Sequence, residues 1–260
     1  MDPLDLWGNS KPEALVRTTI VVPCYNEASR WNAGAFIAAG NVKNLSFLFV
    51  DDGSLDATAS VLESTAAQMP RSRVLGLPEN GGKGEAVRQG LRAALADGAE
   101  AVGYLDADLS TPLAEMLRIV SIVKPGTRDV VLGSRVLLLG TMVRRNPVRH
   151  YLGRAFATAA SATLGIPVYD TQCGAKCFSR QEALEAALRE PFHSRWAFDV
   201  ELLGRLLIGV DGATPVALNR FVEVPLRQWV DVGGSKVRPL DFPRMALELI
   251  KIRSHLAALR

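Results

Sequence analysis

Cysteine is scarce in this 260-residue chain, which contains three cysteines and three histidines. Three cysteines cannot build a disulfide framework, and no set of cysteines and histidines has the spacing of a zinc motif. The chain also lacks any run of about 18 apolar residues, so no transmembrane helix is predicted, and its acidic first residues do not resemble a signal peptide. We therefore expect reduced thiols, a cytoplasmic location, and membrane contact of the peripheral kind only.

Acidic residues are absent from positions 131–169, a stretch that holds five arginines. Residues 1–130 carry 12 Lys/Arg against 16 Asp/Glu, whereas residues 131–260 carry 18 against 11. An acidic half followed by a basic half favours a metal site next to an anion-binding face, with a solvated basic surface as the alternative. Aromatic residues accompany the arginines only at Tyr151 and Phe156, which argues against a nucleic-acid partner.

Apolar runs and helical patterns alternate along the first half of the chain, as in an α/β protein with a mostly parallel sheet flanked by helices. Such a chain forms a single domain, here residues 1–260, without a linker or repeat. Ser54 and Thr111 are the predicted N-caps of two helices. The predicted strands are 18–23, 45–50, 73–78, 101–105, 130–133, 175–179 and 221–229, and the predicted helices are 27–39, 55–68, 84–96, 112–123, 147–164, 181–189, 197–208 and one at the C-terminus.

Acidic residues cluster where three of the predicted strands end. Glu27 follows the first strand, Asp51 and Asp52 follow the second, and Asp106 and Asp108 follow the fourth. Ligands of parallel sheets bind at this edge, and neighbouring buried carboxylates repel one another unless a cation or hydrogen-bond donors compensate. The D-x-D pair therefore predicts a Mg²⁺ or Mn²⁺ site formed by Asp106 and Asp108, with a diphosphate as the second partner of the ion.

A glycine-rich segment, Asn80-Gly81-Gly82-Lys83-Gly84, precedes the third predicted helix. It lacks the spacing of a P-loop, and no G-x-G-x-x-G follows the first strand, which argues against a nicotinamide or flavin enzyme. Two interpretations remain open for this segment. It is a turn that opens the helix, or it places Lys83 and the helix N-terminus against the phosphates of a nucleotide.

Taken in order, these motifs resemble those of family 2 glycosyltransferases of the GT-A fold, from about residue 18 to residue 256. Further motifs narrow the resemblance to the polyprenyl-phosphate branch, closest to dolichyl-phosphate β-glucosyltransferases and next to dolichyl-phosphate mannose synthases. The motifs that carry it are Pro23-Cys24-Tyr25-Asn26-Glu27, Asp51-Asp52-Gly53-Ser54, Asp106-Ala107-Asp108, Gly133-Ser134-Arg135, Asp170-Thr171-Gln172-Cys173-Gly174-Ala175-Lys176, Trp196-Ala197-Phe198-Asp199-Val200-Glu201 and Gly233-Gly234-Ser235-Lys236.

The resemblance implies a role for each matching position. Residues 1–134 form the nucleotide-sugar half, and residues 135–260 form the acceptor half. Asp108 ligates the metal together with Asp106, and the acceptor phosphate is held by Arg135 and Arg149. The residues implied to bind the nucleotide are Pro23, Tyr25, Glu27, Asp52, Lys83 and Asp106, and those implied to line the sugar and acceptor pocket are Arg145, Gln172, Lys176, Asp199, Glu201 and Lys236.

The chemistry of the acceptor supports the arginine assignment. A phosphomonoester is already anionic near neutral pH, so it attacks an anomeric carbon without a general base and requires charge neutralisation and in-line placement. Arginine suits phosphate better than lysine does. The sequence thus predicts inverting transfer of a hexose, favouring glucose from UDP-glucose, to a polyprenyl phosphate.

Three alternatives stand beside that prediction. The first is a GDP-mannose-dependent polyprenyl-phosphate mannose synthase. The second is a soluble family 2 transferase acting on a glycan hydroxyl, which needs Asp199 or Glu201 as its base. The third, a catalytically silent membrane-associated binding protein, is disfavoured because the acidic clusters at all three strand ends are intact.

The last predicted helix is amphipathic and suggests a membrane contact. Its apolar residues recur at spacings of three and four, with basic residues off the stripe, as in a helix lying at a lipid surface. The alternative is a helix packed on the body of the protein. We expect peripheral binding at the cytoplasmic face of a membrane through this stripe, which comprises Phe242, Met245, Leu249, Ile252, Leu256 and Leu259.

Overall fold

The computed structural model describes residues 15–144, 147–232 and 242–259, and for residues 144, 147–152 and 242–246 it describes the backbone alone. In chain order the elements are β1 Thr18–Cys24, α1 Ala33–Ala39, β2 Leu45–Asp51, α2 Thr58–Ala66, β3 Arg73–Gly76, α3 Lys83–Ala96, β4 Ala101–Leu105, α4 Leu113–Ile122, β5 Val130–Ser134, β6 Met142–Arg144, α5 Pro147–Leu164, β7 Ala175–Ser179, α6 Glu182–Ala187, α7 Phe198–Ile208, β8 Phe221–Pro225, β9 Gln228–Val230 and α8 Phe242–Ala258.

Seven strands form one sheet in the order β3-β2-β1-β4-β7-β5-β8. Six of them are parallel where they pair with one another, while β7 runs antiparallel between β4 and β5. A parallel pair, β6 with β9, forms a small second sheet. The mostly parallel α/β architecture predicted from the sequence is therefore confirmed, and the start of β7 reaches the same sheet edge as the end of β4.

Each face of the sheet buries its own apolar core. The first core joins the sheet to α3 and to the helices of the second half, with Leu91, Phe198 and Ile252 among its fully buried members. The second core lies under α1, α2 and α4 and contains Phe36 and Met116. Because both faces are covered, central strands such as β2 and β4 are apolar along almost their whole length rather than alternating, as expected of a buried parallel sheet.

The predicted start of α1 and the predicted caps of α2 and α4 are wrong for local reasons. Helix α1 begins at Ala33, six residues after the predicted start, because the Asn32 side chain caps it by accepting from the amide of Ala35. Helix α2 begins at Thr58, so Ser54 is not its cap; the Ser54 hydroxyl instead accepts from the Asn26 amide. In α4 the cap position is Pro112 rather than Thr111.

The small sheet was not predicted. Residues 221–229, predicted as one strand, form β8 and β9, because the chain leaves the main sheet after Pro225. Strand β9 then pairs with β6, a three-residue strand too short to show a pattern. Between β8 and β9 the amide of Leu226 donates to the carbonyl of Ser134, the last residue of β5.

The apolar stripe of α8 faces the protein body. Leu249, Ile252 and Leu256 are buried in the core, where α8 packs against α5 and α7. The prediction that these three residues contact a membrane is therefore wrong, and the alternative of a packed helix holds. Phe242 and Met245 have side chains outside the described set, and Leu259 is exposed. No helix among the described residues is long and apolar enough to span a membrane.

Candidate active site

The acidic clusters predicted from the sequence meet at the carboxyl edge of the sheet, with Asp52 after β2 at one side. The carboxylate of Asp52 accepts from the backbone amides of Gly81 and Gly82 at 2.8 and 2.9 Å, and from the Asn80 side chain at 3.0 Å. Burial raises the pKa of Asp52 and these donors oppose that effect. Asp52 thus fixes the glycine-rich loop that leads into α3.

This loop has little room for larger residues. Gly53 has a φ of 66°, and a Cβ there would come within 2.7 Å of the Glu79 backbone. From the other side, the guanidinium of Arg195 donates to the carbonyls of Asn80 and Gly81 at 3.1 and 3.2 Å. The first turn of α3 is therefore held at the sheet edge, in the position where helix N-termini bind phosphates through amides that have no partner within the helix.

Asp106 and Lys83 form an ion pair at the centre of this edge. The Lys83 Nζ lies 2.6 Å from Asp106 Oδ1. Desolvation alone would lower the pKa of Lys83, but the carboxylates of Asp106 and Asp199 outweigh it and raise the pKa above its ordinary value. The Asp106 carboxylate is also packed against Gly174, where an added Cβ would lie 2.0 Å from Oδ2. Lys83 is therefore a fixed cation at the D-x-D motif.

Asp108 fits the role of a metal ligand. Its Oδ1 accepts from the Ser110 amide at 2.9 Å, and within the part of the chain described here its Oδ2 makes no hydrogen bond. The two carboxylates supply hard oxygen donors, and a Mg²⁺ or Mn²⁺ ion bound this way completes its coordination with phosphate oxygens and water. The donor set of Asp106 and Asp108 thus suits the predicted ion.

A buried lysine and a buried aspartate lie directly behind the D-x-D motif. The Nζ of Lys176 donates to the Cys173 carbonyl at 2.6 Å and to Asp199 Oδ1 at 2.8 Å. The Tyr104 hydroxyl also donates to Asp199. Burial raises the pKa of Asp199 to about 8 and lowers the pKa of Lys176 to about 7. Burial therefore disfavours the charged form of both groups, whereas their direct contact favours it.

Gln172 lies beside this pair. Its side-chain amide is 3.4 Å from Asp199 Oδ2, and its backbone amide donates to Asp170 Oδ1 at 3.2 Å. The structure therefore brings together Lys83 and Asp106, which the resemblance assigned to the nucleotide, and Gln172, Lys176 and Asp199, which it assigned to the sugar and acceptor pocket. Their roles toward a sugar or acceptor stay predictions.

Arg135 is held by Asp170 in a bidentate ion pair. Nε and one terminal nitrogen donate to the two carboxylate oxygens at 2.7 and 2.8 Å, and the guanidinium lies 5.6 Å from the centre of the Trp229 ring. Burial opposes the charge of Arg135, but Asp170 prevails and raises its pKa. The backbone amide of Asp170 donates in turn to Glu223 at 2.6 Å. Arg135 is thus oriented by Asp170, which the sequence had marked only as part of a motif.

The end of β1 contributes Glu27 and the half-buried Pro23 and Tyr25. Glu27 is buried and pairs with the guanidinium of Arg30. That pairing is the main cause that raises the pKa of Arg30, and Asp108 and Asp106 add to it, so Arg30 lies within electrostatic reach of the D-x-D motif. Whether Pro23, Tyr25 and Glu27 bind a nucleotide stays a prediction.

Glu201 does not belong to this site. It lies two residues after Asp199 on α7, so its side chain leaves the helix in another direction. Its carboxylate accepts from the His193 amide at 2.9 Å and from the Arg205 guanidinium at 2.6 Å. The assignment of Glu201 to the acceptor pocket is therefore corrected. Arg145 and Lys236 lie outside the described residues, and Arg149 lies in α5 with its side chain outside them.

Four residues of the site were given no role in it by the sequence-based prediction. Asp170 and Tyr104 stand in quoted or predicted segments, yet only the fold shows that they bind Arg135 and Asp199. Arg30 and Arg195 lie just outside quoted motifs. Arg30 pairs with Glu27 three residues before it, whereas Arg195 contacts Gly81, which is 114 positions away in the sequence. For these two arginines the one signal available in the sequence was a basic residue close to an acidic cluster.

Comparison with known proteins agrees with this geometry. The family model for "Glycosyl transferase family 2" matches residues 19–186. A dolichyl-phosphate beta-glucosyltransferase of Trichomonas vaginalis, ALG5C, is 33% identical over 94% of this chain and 72% of its own length. The Dictyostelium discoideum protein of that name is 29% identical (94% and 76% covered), and the Homo sapiens one is 28% identical (90% and 74% covered).

Solved structures share the fold at low identity. Glucosyl-3-phosphoglycerate synthase from Mycobacterium tuberculosis superimposes with a TM-score of 0.66 at 19% identity, covering 94% of this chain and 81% of that one. A Pyrobaculum calidifontis mannosyltransferase, solved with GDP-Man and Mn²⁺, gives a TM-score of 0.52 at 20% identity (95% and 75% covered). The GT-A architecture predicted from the sequence is thereby confirmed.

Proposed function

The chain belongs to glycosyl transferase family 2, and from this premise we propose that it moves glucose from UDP-glucose to a polyprenyl phosphate of the dolichyl type, with inversion at the anomeric carbon. Relatives named dolichyl-phosphate beta-glucosyltransferases, which match over almost the whole chain, support the donor and the acceptor. The general prediction of a glycosyltransferase is confirmed by the family match.

One observation carries the choice of acceptor: the carboxylates that could act as a base are already bound. Glu201 is held in another cluster by Arg205 and His193. Asp199 is buried and engaged by Lys176 and Tyr104. A sugar hydroxyl would need a free base, whereas a phosphate acceptor needs none. The geometry thus favours a phosphate nucleophile over the glycan-hydroxyl alternative.

In the proposed reaction the first half of the chain holds the donor. The loop fixed by Asp52 and the first turn of α3 present backbone amides and Lys83 to the diphosphate. A Mg²⁺ or Mn²⁺ ion held by Asp106 and Asp108 would stabilise the negative charge that develops on the leaving nucleotide. Glu27, Pro23 and Tyr25 are proposed to contact the base and ribose.

The second half places the acceptor phosphate in line with the leaving group. We assign Arg135 and Arg149 to this phosphate, with Arg145, Gln172 and Lys236 around it. Asp170 keeps the guanidinium of Arg135 in one orientation, which lowers the entropy lost when it binds an anion. Lys176 and Asp199 support the sugar pocket from behind and remain paired during transfer.

A leucine-rich loop beside Arg135 supports contact with a membrane. Leu137 is 63% exposed and Leu139 is fully exposed, and neighbouring Met142 and Val230 in the small sheet are exposed as well. Exposed apolar groups that lie close together are typical of interaction surfaces. Because this leucine loop begins two residues after a proposed phosphate-binding arginine, a lipid surface there would bring the acceptor to the site. We propose peripheral binding on the cytoplasmic face.

The donor and acceptor are tested with a panel of UDP- and GDP-sugars against short polyprenyl phosphates, with products identified by mass. We expect glucosyl phosphoprenol from UDP-glucose in the presence of Mg²⁺ or Mn²⁺. Preferential use of GDP-mannose would establish the mannose synthase alternative. Transfer to a free glycan without any lipid would contradict the phosphate acceptor.

The membrane contact is tested with two matched double variants. We expect Leu137→Ser/Leu139→Ser to reduce co-sedimentation with anionic liposomes by about tenfold or more, since each buried leucine contributes about 1.5 kcal/mol or more. Leu247→Ser/Ile250→Ser, on the exposed side of α8, is the control. If the control loses binding and the loop variant keeps it, α8 is the lipid contact and the loop is not.

A further inference from the structure

Two histidines and a buried glutamate converge away from the proposed active site. Glu201 Oε1 lies 3.0 Å from His193 Nδ1 and 4.0 Å from His255 Nε2. The two imidazole ring centres are 3.8 Å apart. One ligand-type atom from each residue lies within 4.8 Å of the other two. His193 precedes α7, Glu201 lies on α7 and His255 lies on α8, so three separate segments supply this His–Glu–His cluster.

The cluster opens into a cavity that the proposed reaction does not use. The cavity has a volume of about 320 Å³, and both histidines and Arg205 line it together with Phe192 and Leu259. The His193 side chain is about half exposed, whereas Glu201 is fully buried. An ion and a water molecule could therefore reach the cluster from solvent, and the carboxylate at its base is shielded.

We propose that His193, Glu201 and His255 bind one divalent transition-metal ion, best suited to Zn²⁺, with water from the cavity as a further ligand. Zinc bonds to imidazole nitrogen and carboxylate oxygen are about 2.0–2.2 Å long, so ligand atoms of a tetrahedral site lie about 3.3 Å apart. The separations of 3.0 and 4.0 Å bracket that value. A small rotation of the His255 ring would complete the geometry.

The second carboxylate oxygen orients Glu201 for this role. Oε2 accepts from the backbone amides of His193 and Ser194 at 2.9 and 3.4 Å, which leaves Oε1 directed at both histidines. Hydrogen bonds of this kind, behind the ligating atoms, are usual in metal sites.

Arg205 donates to the same oxygen of Glu201 that is proposed to bind the ion, and its charge limits the affinity of the cluster for Zn²⁺. Its guanidinium donates to Glu201 Oε1 at 2.6 Å and to the carbonyls of Ala187, Glu190 and Pro191, so it is fixed in place. A carboxylate oxygen has two lone pairs, and one remains for the ion. The positive charge of Arg205 opposes a cation, so we expect weaker binding than at a structural zinc site without such a neighbour.

An ion at this position would fasten α8 to the body of the protein. Helix α8 already packs on α7, and the Ser194 hydroxyl donates to Glu248 of α8. The ion would add a direct link between His255 and Glu201. Because it would bind the folded chain alone, it would raise the thermal midpoint, and the rise would grow with the logarithm of the free ion concentration once this exceeds the dissociation constant.

The test uses the full chain after chelator treatment, titrated with Zn²⁺ by calorimetry and with Co²⁺ by visible absorption. The Asp108→Asn variant serves as the background, so that the D-x-D motif does not bind the added ion. We expect one equivalent of Zn²⁺ per chain, a higher thermal midpoint, and a cobalt spectrum typical of four-coordination. His193→Gln and His255→Asn should each weaken binding on the order of 100-fold.

His150→Gln changes the one histidine of the chain that is not in the cluster, so it is the matched control. It should bind Zn²⁺ as tightly as the Asp108→Asn background protein does. His193→Gln changes a half-exposed side chain, so a folding defect in His255→Asn would not obscure the result. Unchanged Zn²⁺ binding in folded His193→Gln overturns the proposal, as does the absence of stoichiometric binding to the background protein.

Discussion

At the scale of single residues, the pair of Lys176 and Asp199 is the feature with the largest energetic consequence. Both side chains are almost completely buried, and the Nζ of Lys176 lies 2.8 Å from Asp199 Oδ1. Removing one partner of such a pair leaves the other group either charged without compensation or forced into its neutral form, which costs about 3–5 kcal/mol near neutral pH. Removing both replaces an ion pair with neutral groups and costs much less.

We predict that Lys176→Met lowers the free energy of unfolding by about 3–5 kcal/mol near neutral pH, whereas Lys176→Met/Asp199→Asn recovers most of the loss. In the single variant the folded chain keeps the proton on Asp199, while the unfolded chain releases it near pH 4. Stability is therefore greatest at low pH and should fall by about 1.4 kcal/mol per pH unit from pH 5.5 to 7.5. Urea denaturation at these two pH values measures the change. The prediction would be contradicted if the single and double variants had equal free energies of unfolding at both pH values.

Asp108 offers the sharpest test of the proposed metal. We predict that Asp108→Asn reduces turnover by at least about 100-fold without loss of fold. The Ser110 amide bonds to Oδ1 of Asp108, and a neutral amide group would replace the carboxylate whose Oδ2 is proposed to bind the ion. Chelator should inactivate the unmodified protein, with recovery on addition of Mn²⁺ or Mg²⁺. Asp97→Asn, at an exposed carboxylate beyond the end of α3, is the control. Full activity in excess chelator would exclude a metal at this site.

At the scale of elements, the pairing of β4 with β7 places the D-x-D motif. The amide of Asp106 donates to the carbonyl of Gly174, immediately before β7. Only a residue without a side chain fits there, because a Cβ would overlap the Asp106 carboxylate. The position of the acidic pair is thus set by a strand from the second half of the chain.

We predict that Gly174→Ala displaces the Asp106 side chain and lowers turnover by at least about tenfold, with a smaller effect on stability. Gly76→Ala, at the end of β3, adds the same methyl group to a position with open space around it and should be neutral. Activity and thermal denaturation of the two variants provide the comparison. If both keep full turnover, the contact between Gly174 and Asp106 does not position the site.

The elements show what the sequence could and could not predict. Strand β4 and helix α5 were predicted at their observed boundaries, because long apolar runs and regular spacing dominate there. The antiparallel insertion of β7 was not predicted, since a local pattern carries no information about its neighbours in the sheet. The same limit explains why Glu201 was assigned to the wrong site. Its position on α7 was predicted, but its partners His193 and Arg205 depend on the tertiary packing.

At the scale of the whole molecule, the two proposed halves are one cooperative unit. Strand β7 from the second half lies between β4 and β5 from the first and pairs with both. Residues 1–134 alone would lack the strand that pairs with both β4 and β5, and α3 would lose the helices of the second half that cover the same face of the sheet with it. The boundary at residue 134 separates proposed roles and does not separate folding domains.

We predict that a fragment of residues 1–134 shows no cooperative unfolding transition, and that co-expression with residues 135–260 restores one. Circular dichroism during urea denaturation measures the transition, with the intact chain as reference. A cooperative transition of the first fragment alone would show that its strands are stable without β7.

The late position of β7 also bears on how the chain is made. During synthesis β4 and β5 leave the ribosome before the strand that joins them, and about 45 further residues must be added after β5 before β7 is complete. At typical rates of synthesis this takes about 2–9 s. Throughout that interval the nascent chain carries two apolar strands with unpaired backbone edges, which are prone to pair with other chains. The protein is therefore expected to depend on chaperones at this stage, and slower translation between codons 134 and 179 should increase its aggregation.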